Sequence, residues 1–203
     1  MAHFFLACED QLSSSFCLQL IQNYFPSSTY NPIIVTGGTG ELRKKVQAFA
    51  NISKIPEKAT LILTDLDQCQ SVESLIEEWK EGKEYSDTFF IYVAVREIES
   101  WVLADADAFS QWSGIPKSKI PQNPDNEQDV KQTLLNIVKK YGSTSIKNDL
   151  LPVKGAVTSR VGIAYNSSLV SFVSNYWSIQ RAKLNSPSLN NVDLCLSRYQ
   201  ERI

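Results

Sequence analysis

Histidine is almost missing from this chain: His3 is the only one among 203 residues. Ser-His-Asp and Cys-His mechanisms need a histidine beside a nucleophile, and the one candidate lies inside an apolar run, where a core or edge histidine is the ordinary outcome. Cysteine is scarce too. Cys8, Cys17, Cys69 and Cys195 form no C-x-x-C pair, which argues against a zinc cluster and fits unpaired thiols in a reducing compartment. Long apolar runs are lacking: mean hydropathy is −0.20, and no stretch reaches the ~18 residues of a membrane helix. The opening residues have no basic n-region of the signal-peptide kind, so the cytoplasm is the expected compartment and no membrane is expected. No repeat or low-complexity tract occurs. The formal charge of −2 provides no global basic field for nucleic acid, although a local basic stripe or a metal can supply that attraction. Carboxylates and metal are the chemistry that remains.

What is present is alternation. Strands are expected at residues 3–8, Pro32–Val35, Thr60–Thr64 and Phe89–Val95. The third is a continuous apolar run of the kind buried on both faces. Helices are expected at Leu12–Phe25, with Ser13 as a cap, and at Glu41–Ala50, Val72–Trp79 and Ile98–Trp112. Four strand–helix repeats predict an α/β domain over residues 1–113, a parallel four-stranded sheet flanked by helices. Residues 114–203 read as a C-terminal helical extension packed on it. A Pro-rich segment (Ile115–Asn126) leads to helices at Glu127–Tyr141, Leu169–Tyr176, Ile179–Leu184 and Leu189–Glu201, with a loop at Pro152–Asn166.

The acids fall where such a sheet places its functional sites, beyond the carboxyl ends of the strands. Glu9 and Asp10 follow the first strand, Asp65 and Asp67 the third, Glu97 and Glu99 the fourth. Clustered carboxylates repel, and a hard divalent cation removes that cost. Mg²⁺ (or Mn²⁺) uses one or two carboxylates and keeps open positions for phosphate oxygens. Any single acid is equally explained as a helix cap or a partner of the helix dipole; the case rests on three strand ends together. Thr36-Gly37-Gly38-Thr39-Gly40 is neither a P-loop nor a dinucleotide fingerprint, and is expected to be a tight turn beside the acidic edge.

Glu9 after strand one and Asp65-x-Asp67 after strand three resemble the Toprim fold of topoisomerases, bacterial primases and OLD-type nucleases. More closely, the chain is similar to an uncharacterised family of small bacterial Toprim-like proteins. The matching stretches are Cys8–Ser13, Leu63–Asp67, Ala94–Asp105 (A-V-R-E-I-E-S-W-V-L-A-D), Val161–Asn166 and Ser186–Leu189; they are spread so that the resemblance spans nearly the whole chain. The resemblance implies Mg²⁺ held by Asp65 and Asp67, with Glu9 as a further ligand or as the general acid/base at a scissile phosphate. Glu97 or Glu99 would complete the site. Arg96 would pair with the acids or with phosphate, and Lys154 and Arg160 would reach a nucleic-acid backbone. It further implies a metal-dependent nuclease acting on DNA or RNA, in a bacterial defence or mobile-element system beside a partner ATPase. Two positions depart from the pattern. Asp10 stands where Toprim nucleases usually carry glycine, and Ser13 where they carry a second acid. A non-catalytic Toprim-like binding subunit and a small-molecule phosphohydrolase are therefore the alternatives.

Overall fold

The computed structural model describes residues 2–153, 155 and 159–202. Five strands, β1 (His3–Cys8), β2 (Thr29–Tyr30), β3 (Ile34–Val35), β4 (Lys58–Asp65) and β5 (Phe89–Ala94), form one sheet in which every pairing is parallel. β1 lies between β4 on one side and β2 and β3 on the other, and β5 completes the sheet beyond β4. Of the strand expected at Pro32–Val35 only Ile34–Val35 forms, as β3; β2, which was not expected, precedes it on the same edge. Pro32 has no N–H to donate and separates them, while Asn31 N–H donates to Phe4 O (3.1 Å) in the gap.

Helices α1 (Gln11–Tyr24), α2 (Thr39–Arg43), α3 (Val46–Ser53) and α4 (Val72–Lys80) connect the strands. The cap of α1 is Asp10, whose carboxylate accepts the Ser13 N–H at 2.8 Å; Ser13 is the donor in that bond, not the cap. The single helix expected over Glu41–Ala50 is broken at Lys44–Lys45, where the Lys45 N–H reaches back only three residues to Leu42 O (2.9 Å). Alternate strand residues face opposite sides. Ala7, Ile62, Phe89, Ile91 and Val93 pack with Leu42, Val46, Phe49, Leu75 and Trp79 of α2–α4. On the other side Phe4 meets Phe25 (4.8 Å between ring centroids) and Tyr199, which also packs edge-on against Phe90. Each such buried side chain contributes about 1.5–3 kcal/mol. This packing explains why β1 and β4 read as unbroken apolar runs.

The remaining helices are α5 (Glu99–Ala104), α6 (Ala106–Ser113), α7 (Val130–Tyr141), α8 (Thr144–Leu150), α9 (Tyr165–Asn175), α10 (Ile179–Ala182) and α11 (Pro187–Gln200), with 3-10 turns at Lys117–Lys119 and Pro124–Asn126. Asp105 interrupts the helix expected over Ile98–Trp112, its carboxylate accepting the Ala108 N–H (3.3 Å) to start α6. The chain divides into two compact units, residues up to 95 with those from 192 onward, and residues 96–191. The boundary expected at residue 113 falls inside the second. Among the described residues no helix is long and apolar enough to cross a membrane.

Candidate active site

Because all strands run parallel, the carboxyl ends of β1 and β4 lie on one edge of the first unit. Glu9, directly after β1, is held there by three donors. Its Oε1 accepts the Thr64 hydroxyl (2.5 Å) and the Asp65 backbone N–H (3.0 Å), and its Oε2 accepts the Thr39 hydroxyl (2.7 Å). The same Thr39 Oγ1 lies 3.4 Å from Asp67 Oδ2. A hydroxyl carries one proton, so the shorter contact with Glu9 takes it. One hydroxyl oxygen therefore stands between two carboxylates supplied by different strand ends.

Backbone geometry holds this arrangement. Gly37 N–H donates to Glu9 O (2.8 Å) and Thr36 N–H to Cys8 O (3.0 Å), tying the glycine loop to the end of β1. Gly37 and Gly38 have φ of 80° and 154°, values that L-residues rarely adopt. No atom lies within 4 Å of a Cβ added at either position, so backbone conformation rather than space requires glycine there. Asp67 has φ 49°, a left-handed conformation that Asp tolerates better than most residues. It follows Leu66, whose N–H donates to Ala94 O (2.9 Å), and the Cys69 N–H closes the turn on Leu66 O (3.0 Å). In a straight strand Asp65 and Asp67 would lie on the same face, at alternate positions; the turn takes Asp67 off that register toward Thr39. Asp65 is half-buried and Asp67 exposed.

Carboxylates are the hard oxygen donors that Mg²⁺ prefers, and one or two suffice when water fills the other positions. The Glu9–Asp67 pair fits that demand. It does not make a closed protein cage: among the described residues no group of three or more His, Cys, Asp or Glu side chains is arranged to hold a metal ion.

The other predicted residues belong to the second unit. Glu99 is buried at 3% exposure, accepts the Tyr165 hydroxyl (2.9 Å) and pairs with Lys131 Nζ (3.2 Å). Glu97 Oε2 accepts the Lys131 backbone N–H (3.2 Å) at the start of α7. Burial, and then the neighbouring Glu99 charge, push the Glu97 carboxyl above the usual range. Arg96 is half-buried, Arg160 is exposed, and Lys154 lies outside the described residues. Thr39 and Thr64 are the residues that sequence reasoning missed. Thr39 lay in a loop already singled out; Thr64 carried no signal, since its partner is 55 positions away.

The family model described as a domain of unknown function (DUF4276) matches residues 8–153, which is most of the chain. The chain belongs to the DUF4276 family. The DUF4276 match opens one residue before Glu9 and includes Thr39, Thr64, Asp65, Asp67, Glu97 and Glu99. It ends before Arg160 and before the C-terminal helices. No curated protein and no solved structure matches the chain.

Proposed function

We propose that this DUF4276 protein is a Mg²⁺- or Mn²⁺-dependent enzyme of phosphodiester chemistry, a Toprim-like nuclease acting on DNA or RNA. The observation that carries the reading is Thr39 Oγ1, in contact with the carboxylates of both Glu9 and Asp67 at the carboxyl edge of a parallel sheet. Glu9, Asp65 and Asp67 are the ligand candidates. Glu9 and Asp67 form the bridged pair, and Asp65 holds Glu9 in place through its backbone N–H. Glu9 and Asp67 would hold a divalent ion, which would supply Lewis acidity at a phosphoryl oxygen. Glu99 is left out of the ligand set because Tyr165 and Lys131 already hold its carboxylate. A nucleic-acid substrate, and an ATPase partner in a defence or mobile-element system, rest on the Toprim resemblance.

A second reading, a Toprim-like binding subunit without catalysis, is favoured by one observation. Asp10 is spent as the cap of α1 and Ser13 is buried beneath it, so the first motif supplies one acid where Toprim nucleases carry two. Incubating the protein with plasmid, single-stranded DNA and RNA, with Mg²⁺ or Mn²⁺, separates the two. The enzyme reading expects cleavage that disappears in Glu9→Gln and Asp67→Asn while both variants melt cooperatively. Absence of cleavage on every substrate with either metal would favour the binding subunit.

A further inference from the structure

The second unit contains an open cavity of about 570 Å³ formed by α6, the end of α9 and α10. Its volume is within the roughly 300–1,000 Å³ of small-molecule sites. The lining is specific in kind. Trp112 and Tyr176 provide aromatic surface, Gln111 and Asn175 provide amides, and Arg181 and Asp107 bring opposite charges.

The aromatic wall has firm backing. Phe172, itself fully buried, contacts Trp112 (ring centroids 5.0 Å apart) and stacks near-parallel with Tyr176 (20° between planes). Tyr176 is nonetheless 55% exposed, a large aromatic surface left at the rim of a cavity. Asn175 is fixed in orientation. Its Nδ2 donates to Ser171 O (2.8 Å) and to Ser171 Oγ (3.3 Å), so its carbonyl oxygen is the atom presented as an acceptor. Gln111 offers both a donor and an acceptor.

The charges cancel in pairs. Arg181 donates through Nε and Nη2 to both oxygens of Asp105 (2.9 and 2.7 Å), a carboxylate with no exposed surface that also accepts the Ser178 N–H (2.8 Å). Asp107 pairs with Lys117 at 2.6 Å. Among the described lining residues each charge thus has a partner of opposite sign. The cavity offers an aromatic wall, hydrogen-bonding amides and a bidentate-fixed guanidinium whose plane is set by a buried partner. That combination suits an uncharged, planar ring with donors and acceptors around its edge.

We propose that this cavity binds a nucleobase, either of a free nucleoside or of an unpaired nucleotide in a single strand. The ring lies against Trp112 and Tyr176, and its edge meets the amides of Gln111 and Asn175. The assignment is argued from the second unit alone and does not depend on the acidic edge of the sheet.

The test is titration of the full chain, followed by tryptophan fluorescence, with the four ribonucleosides, their 5′-monophosphates, inorganic phosphate and a short single-stranded oligonucleotide. At least one nucleoside is expected to saturate, its monophosphate to bind without measurable gain, and phosphate not to bind. Tyr176→Ala and Gln111→Ala, both at exposed positions, should weaken binding roughly ten-fold or more while each variant still melts in one cooperative transition. Saturation by the oligonucleotide alone, with the same loss in Tyr176→Ala, would identify the single strand as the source. The proposal is overturned if neither nucleosides nor oligonucleotide saturate, if both variants bind like wild type, or if phosphate competes as well as the nucleoside.

Discussion

Thr39 shows how much of this site depends on single side chains far apart in sequence. Its hydroxyl contacts Glu9, 30 positions away, and Asp67, 28 positions away. The acids themselves were legible, because each follows an apolar run that could only be a buried strand. Their hydroxyl partners were not, since nothing local marks a threonine as the group that will meet a carboxylate from another strand. Asp10 is a case where position misleads. It stands beside Glu9, yet its carboxylate caps α1. Asp10→Ala should therefore lower stability by about 1 kcal/mol in chemical denaturation and leave divalent-ion binding unchanged. Glu97 carries a different signature. Burial and Glu99 hold its carboxyl above the usual range, so the fold binds this proton more tightly than the unfolded chain does. Its contribution is most favourable at low pH and is lost as pH rises through the folded value. Glu97→Gln should raise the melting temperature at pH 7, with the advantage shrinking toward pH of about 4, where unfolded glutamate is itself protonated.

Among the elements, β1, β4, β5 and the helices of the first unit were readable because apolar runs and helical spacing report burial directly. The breaks between elements were not. Pro32 separates β2 from β3, Lys45 tightens a turn, and Asp105 ends one helix by capping the next, each through a hydrogen bond lost or gained locally. α8 is only seven residues long, too short for its periodicity to stand out. Gly162, further along the chain, is held by close approach. Gly162 donates its N–H to Leu150 O (2.9 Å), and a Cβ there would collide with the Asp149 carbonyl oxygen and lie 2.8 Å from that of Leu151. Gly162→Ala should thus destabilise by at least about 2 kcal/mol, seen as a lower melting temperature, although the substitution is conservative in size.

Across the chain as a whole, the stretches that carry the family resemblance divide by role. Cys8–Ser13 and Leu63–Asp67 build the acidic edge of the first unit. The A-V-R-E-I-E-S-W-V-L-A-D stretch wires the second. Its Glu99 meets Tyr165 of the V-G-I-A-Y stretch, its Trp101 Nε1 donates to Ser188 of the S-P-S-L stretch (2.9 Å), and its Asp105 clamps Arg181. The most distinctive motif in the sequence is in these contacts a device of architecture, while the weaker D-x-D signal falls at the sheet edge where the chemistry is proposed. What the account requires above all is that Glu9 and Asp67 share a cation. Calorimetric titration of Mn²⁺ into wild type and Asp67→Asn checks this, because Asn also tolerates the left-handed backbone at that position and should preserve the fold. One saturable site in the wild type, abolished in a variant with the same melting temperature, is the predicted result. No saturable site, or equal binding by the two proteins, would contradict it.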